Sequence, residues 1–113
     1  MKSYTDLEQS KKLAEFLPLE SADMYWWSTS LRYYIEAMDD GDFVENRDIR
    51  AWSLAALLDI LPRVDIEKEL WSSDKYDFRV KAYIDDGYVG DWFDNPIDAC
   101  VEMILKLHEQ NLL

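Results

Sequence analysis

Three kinds of side chain in this sequence have the means to do chemistry: clustered acids, one histidine with one cysteine, and crowded aromatics. Asp39, Asp40 and Asp42 surround Gly41, Asp85 and Asp86 precede Gly87, and Asp91, Asp94 and Asp98 follow. Convergent carboxylates would bind calcium or magnesium, but these spacings do not make a twelve-residue calcium loop. Two carboxylates in one pocket would do acid–base work if burial drew their pKa values apart. A carboxylate-based hydrolase using Asp85, Asp86 or the Asp91–Asp98 cluster is therefore one reading. The local reading outweighs it, because acids are favoured in turns and at helix starts. His108 and Cys100 would share one helix, about 12 Å apart along its axis. That is too far for a nucleophile and its base. A single cysteine forms neither an internal disulfide nor a cysteine zinc site. The sequence carries no phosphate loop, paired-glycine fingerprint or serine elbow. No catalytic residue, metal site or cofactor is assigned.

The aromatics say more. Tyr25, Trp26, Trp27, Tyr33 and Tyr34 crowd one stretch, and Trp92 lies further on. Adjacent strand residues point to opposite faces, so Trp26 and Trp27 cannot share one buried side. With helices on only one face of a sheet, some of these rings turn outward. They would then suit a protein partner, a second copy of the chain, or a sugar held by Trp26, Trp27 or Trp92. The competing expectation is that a second layer or the linker covers them. The partner-binding candidates are Tyr25, Trp26, Trp27, Tyr33, Tyr34 and Trp92, with the acids Asp39, Asp40, Asp85 and Asp86.

Charge narrows the partner. The 113 residues hold 24 Asp and Glu against 12 Lys and Arg, a formal net charge of −12. Phosphate backbones and anionic membrane surfaces both need basic residues, so neither is an expected partner. A basic protein is. The first residues, MKSYTDLEQ, have no apolar signal core, which implies a cytoplasmic protein. The length suits one domain.

The elements that would position these residues are organised around Ala51–Pro62, AWSLAALLDILP. Leu54, Leu57, Leu58 and Leu61 recur at helical spacing, and Pro62 ends the run. A helix this apolar wants cover on several sides. Thr5 and Glu8 read as a capping box for a first helix that stops at Pro18. Ala22–Ser28 reads as a strand. Arg32–Met38 reads as a second strand, although Leu31, Ile35 and Met38 also fit helical spacing. Asp39–Asp42 reads as a turn, Phe43–Glu45 as a short return strand, and Asn46–Arg50 as a polar linker. Ile66–Trp71 is a weaker strand. In Tyr76–Ile84, Phe78, Val80, Ala82 and Ile84 alternate with polar residues. Asp86-Gly87 is a favoured hairpin turn, with Tyr88–Trp92 returning. Asn95, Pro96 and Asp98 start a last helix with Ile97, Cys100, Val101, Ile104 and Leu107 as its buried stripe.

LAEFLP at 13–18 resembles LLDILP at 57–62, and Trp27-Ser28 matches Trp71-Ser72 at the same offset. The order suggests an internal duplication, two helix-plus-three-strand units closed by a third helix. The expectation is an α+β fold, α-βββ-α-βββ-α, with three helices on a four- to six-stranded antiparallel sheet.

Three stretches, YTDLEQSKKLAEFLPLESADM, AWSLAALLDILP and NPIDACVEMILKLHEQNLL, resemble a group of small acidic uncharacterised proteins of Bacteroides genomes, often carried with prophages or other mobile elements. The resemblance implies a short cytosolic single-domain protein and transfers no site residue. Together with the charge, it suggests a non-enzymatic interaction module that binds a basic protein, in one form by mimicking DNA.

Overall fold

A computed structural model describes residues 2–38, 48–72, 75–84 and 87–113, with backbone only at 71 and 72. Three helices, α1 (Leu7–Ala14), α2 (Leu54–Ile60) and α3 (Pro96–Glu109), alternate with six strands. The strands are β1 (Met24–Ser28), β2 (Tyr33–Ala37), β3 (Ile49–Ala51), β4 (Asp65–Ser72), β5 (Lys75–Ile84) and β6 (Gly87–Val89). The order is α-βββ-α-βββ-α, and the class is α+β. The six strands do not lie in one sheet. They form two antiparallel sheets, β2-β1-β3 and β4-β5-β6. The first strand is central in one sheet and the second strand is central in the other. The repeated element order is therefore not a repeated topology, although Trp27-Ser28 and Trp71-Ser72 both close the first strand of a sheet.

The core lies between α3 and β5. Phe78, Val80, Ala82 and Ile84 are buried on one face of β5, and α3 covers them with the expected stripe. Ala99 and Met103 are buried too, so the stripe is broader than a single row. The Asn95 side chain accepts the Asp98 N–H, Pro96 takes the first position, and Lys106 and His108 complement the dipole in the last turn.

The start of α1 differs from expectation. Asp6, not Thr5, is the N-cap, and Gln9 completes the capping box. Thr5 is engaged elsewhere. It is fully buried, its Oγ1 lies 2.7 Å from Ser10 Oγ, and it accepts the Trp52 N–H at 3.1 Å. The central helix is also shorter than its apolar run. Ser53 caps it by accepting the Ala56 N–H, while Ala51 sits in β3 opposite Met24. Trp52, between strand and cap, is fully buried with its indole N–H donated to Ser21 Oγ at 3.0 Å. Leu57 is fully buried, Leu54, Ala56, Leu58 and Ile60 are half-buried against the core, and only Ala55 and Asp59 are exposed, so cover extends round most of the helix.

Two loop expectations also change. Residues 49 and 50, read as linker, belong to β3, because Ile49 and Arg50 pair with Trp26 and Tyr25. Arg32–Met38 does form a strand, through its ladder to β1. The expected return strand Phe43–Glu45 lies outside the described residues. Gly87 is a strand residue opposite Ile84, not a turn residue. β6 stops at Val89 because Gly90 follows at φ +146°. A Cβ there would lie 2.3 Å from the Val80 carbonyl oxygen. The chain rejoins β5 only at Phe93, which exchanges two backbone hydrogen bonds with Phe78.

Candidate partner-binding surfaces

Alternation along β1 sorts the aromatics. Trp26 faces the segment that leads into α1: its indole N–H donates to the Thr5 carbonyl at 3.2 Å, and Tyr4 meets it edge-on at 5.7 Å. Tyr33 shares that face, opposite Ser28, but is exposed. Tyr25 and Trp27 point the other way. Trp27 stacks on Tyr34 across the ladder with ring centroids 4.6 Å apart. Arg32 donates to the Tyr34 hydroxyl at 2.7 Å and lies over its ring. The Tyr25 hydroxyl donates to Glu36 at 2.9 Å. The Trp27 indole N–H is buried without a hydrogen-bond partner among the described residues. Structure thus joins Tyr25, Trp27 and Tyr34 in one outer face and takes Trp26 out of it.

Trp92 belongs to a different surface, the outer face of the second sheet. The Arg79 guanidinium lies 4.7 Å from its ring centroid. Glu67 bridges Arg79 at 2.7 Å and Lys81 at 2.6 Å. Hydrogen bonds from Lys81 and then Arg79 hold the Glu67 carboxyl below its ordinary range. Lys81 lies over Tyr88, which meets Tyr83 edge-on at 5.2 Å. An open cavity of about 310 Å³ is lined by Arg63, Val64, Asp65, Lys81, Tyr83 and Tyr88. Sequence reasoning did not single out Tyr83 and Tyr88. The available signal was that Tyr83 falls in the polar phase of β5.

The third surface, β4, was also missed. Cross-strand partners share a face, so Ile66 and Leu70 lie on the side of Val80 and Tyr76. That is the core side, yet Ile66 is 52% and Leu70 54% exposed, because the cover of α3 over β5 does not reach the sheet edge. Lys68, between them, lies over the Tyr76 ring at 4.1 Å. On the opposite side, Glu69 stands directly across from Asp77, and no described cation is bonded to either.

Of the acids after Gly90, Asp94 and Asp98 meet at the Asn95 side-chain amide, while Asp91 stands apart. Asp91 pairs with Lys106 at 3.1 Å, and Asp94 accepts from the Asn95 amide at 2.9 Å. Asp98 accepts from Lys2, Gln9 and Asn95, each at 2.8 Å. Burial raises the Asp98 pKa, but those hydrogen bonds outweigh it and hold the carboxyl below its usual range. Asp39, Asp40, Asp85 and Asp86 lie outside the described residues. Among the described residues no three His, Cys, Asp or Glu side chains are grouped to hold a metal ion. His108 stacks on Phe16 with centroids 3.7 Å apart, and burial pushes the Cys100 thiol up to about 11. No described helix is long and apolar enough to cross a membrane. Compared with protein-family models, curated proteins and solved structures, the chain matches none.

Proposed function

We propose that this protein is a non-enzymatic interaction module that takes a basic protein partner on its acidic surface. The observation that carries the reading is the Glu69–Asp77 pair. Like charges directly opposite in a sheet are destabilising, and neither acid forms an ion pair among the described residues, although Lys75 and Arg79 flank Asp77 on the same face. A lysine or arginine from a partner would relieve the pair, and the exposed Ile66 and Leu70 lie on the other face of the same strand. The outer face of Tyr25, Trp27 and Tyr34 offers a second contact, since aromatic side chains are enriched in interface centres. DNA mimicry is one form of this function, supported by the net charge and the mobile-element resemblance; the site of action is then the cytoplasm.

The hydrolase reading finds less support. A general acid needs a raised carboxyl, and Asp98 is moved the other way. Sugar binding is weakened because Trp26 is turned inward, Trp27 is stacked on Tyr34, and Arg79 lies over Trp92.

The test is capture from host lysate by wild type and by the double variant Glu69→Lys, Asp77→Lys. The expected result is a basic protein held at low salt, released by raised salt, and lost with the variant. Equal capture by both proteins at both salt concentrations refutes the reading.

A further inference from the structure

We infer that the free edge of β4 accepts an extended basic segment of the partner as an added strand. This rests on the partner reading above and narrows it from a charged surface to a backbone-paired one. β4 is the outermost strand of its sheet and pairs only with β5 among the described residues. Among the described residues its other edge has no strand partner and presents its N–H and C=O groups as a template for strand addition.

Its two faces define the occupant. Asp65, Glu67 and Glu69 alternate along the outer face, while Ile66, Lys68 and Leu70 occupy the inner one. An added strand would set Lys or Arg against Asp65 and Glu69. On its other side it would set apolar residues against Ile66 and Leu70. A polar or acidic residue would meet Lys68. The ligand is therefore an alternating basic–apolar segment.

A second copy of β4 fits poorly. Antiparallel pairing about a two-fold axis normal to the sheet keeps each face continuous. Each such register centred within residues 65–69 sets an acid of one copy against an acid of the other, the charge device that keeps edges apart. β2 is also an edge strand, but its one acid, Glu36, already accepts from Tyr25.

The experiment titrates the full chain with a synthetic peptide the length of β4. The peptide alternates Lys with Ile or Leu and carries one Glu to meet Lys68. Its control is the same peptide N-methylated at alternate amides, which keeps charge and side chains but removes main-chain donors. The inference expects the control to bind about tenfold more weakly or worse. It also expects amide exchange within 65–70 to slow only with the unmodified peptide. Glu69→Lys, at an exposed position, should weaken the unmodified peptide by a similar factor. Equal binding of both peptides overturns strand addition and leaves the acidic-surface reading standing. Binding of neither also overturns it, while lysate capture judges the broader reading separately. Self-association of the peptide-free chain with protection of 65–70 assigns the edge to a second copy and overturns it too.

Discussion

Replacing Thr5 by valine removes one oxygen from the node that ties the first sheet to the helices. The Thr5 N–H donates to the Trp52 carbonyl at 3.0 Å, and its own carbonyl takes the Trp26 indole. Its hydroxyl accepts the Trp52 N–H and meets Ser10. Thr5, Ser10 and Trp52 are all fully buried, so water cannot take the place of a lost partner. Valine fills nearly the same volume, and no large cavity adds to the cost. An unsatisfied buried donor costs ~1–3 kcal/mol. The Trp52 N–H loses its acceptor outright. The Ser10 hydroxyl keeps the Thr5 carbonyl at 3.5 Å as a poor substitute, so its share is smaller. Together Thr5→Val should cost ~2–3 kcal/mol, a large part of the ~5–15 kcal/mol that stabilises a domain. Urea denaturation should show a lower midpoint with an unchanged slope. Thr5→Ser, which keeps the oxygen, should cost about 1 kcal/mol or less. Ser10→Ala should cost less in the Thr5→Val background than alone, because the two hydroxyls share a bond. The reasoning is refuted if Thr5→Val lies within about 0.5 kcal/mol of wild type, the range of an ordinary surface change. It fails equally if Thr5→Ser is as damaging.

Other substitutions probe separate features. Gly90→Ala should destabilise by at least ~2 kcal/mol, from the left-handed backbone and the clash with Val80. Gly87→Ala, with only the Ile84 oxygen 4.0 Å away, should be mild; equal thermal melts for the two would contradict the account. Lys2→Met tests the Asp98 network through pH. The folded Asp98 pKa is depressed, so its contribution is full above the unfolded value of about 3.9 and is lost as pH falls through the lower folded value. Burial opposes the Lys2 charge, but Asp98 and Asp6 raise its pKa overall, so that part is lost only as pH rises past the raised value. The variant should cost about 1 kcal/mol at pH 7, and the gap should close in strong acid; an equal gap at pH 2 and pH 7 would sink the assignment. Cys100, with a thiol raised from 9.0 to about 11, has a thiolate fraction about a hundredfold lower than a free thiol at pH 8. Iodoacetamide should label the unfolded chain far faster than the native one, and equal rates would show the site to be open.

The order of elements was legible because its signals are local. Asn95, Pro96 and the Ile97–Leu107 stripe specify α3 without reference to the rest of the chain. Alternation does the same for β5, down to which side is buried. Local signals misled where a residue had a distant partner. Thr5 reads as a cap, but its oxygen is held by Trp52, 47 positions away. Ala51 reads as helix, but its backbone is claimed by Met24. Trp26 and Trp27 had to face opposite ways, yet only the Thr5 carbonyl fixed which of them turned inward.

The sequence by itself determined a small acidic α+β chain whose helices and strands follow one another in a definite order. Tertiary structure alone decided that the strands divide into two sheets, that β4 is an edge, and that α3 stops short of it. Periodicity records which residues share a side of an element. Whether another element reaches over that side depends on long-range pairing, and for this reason Ile66 and Leu70 share the core side of their sheet and yet stand in solvent in the fold.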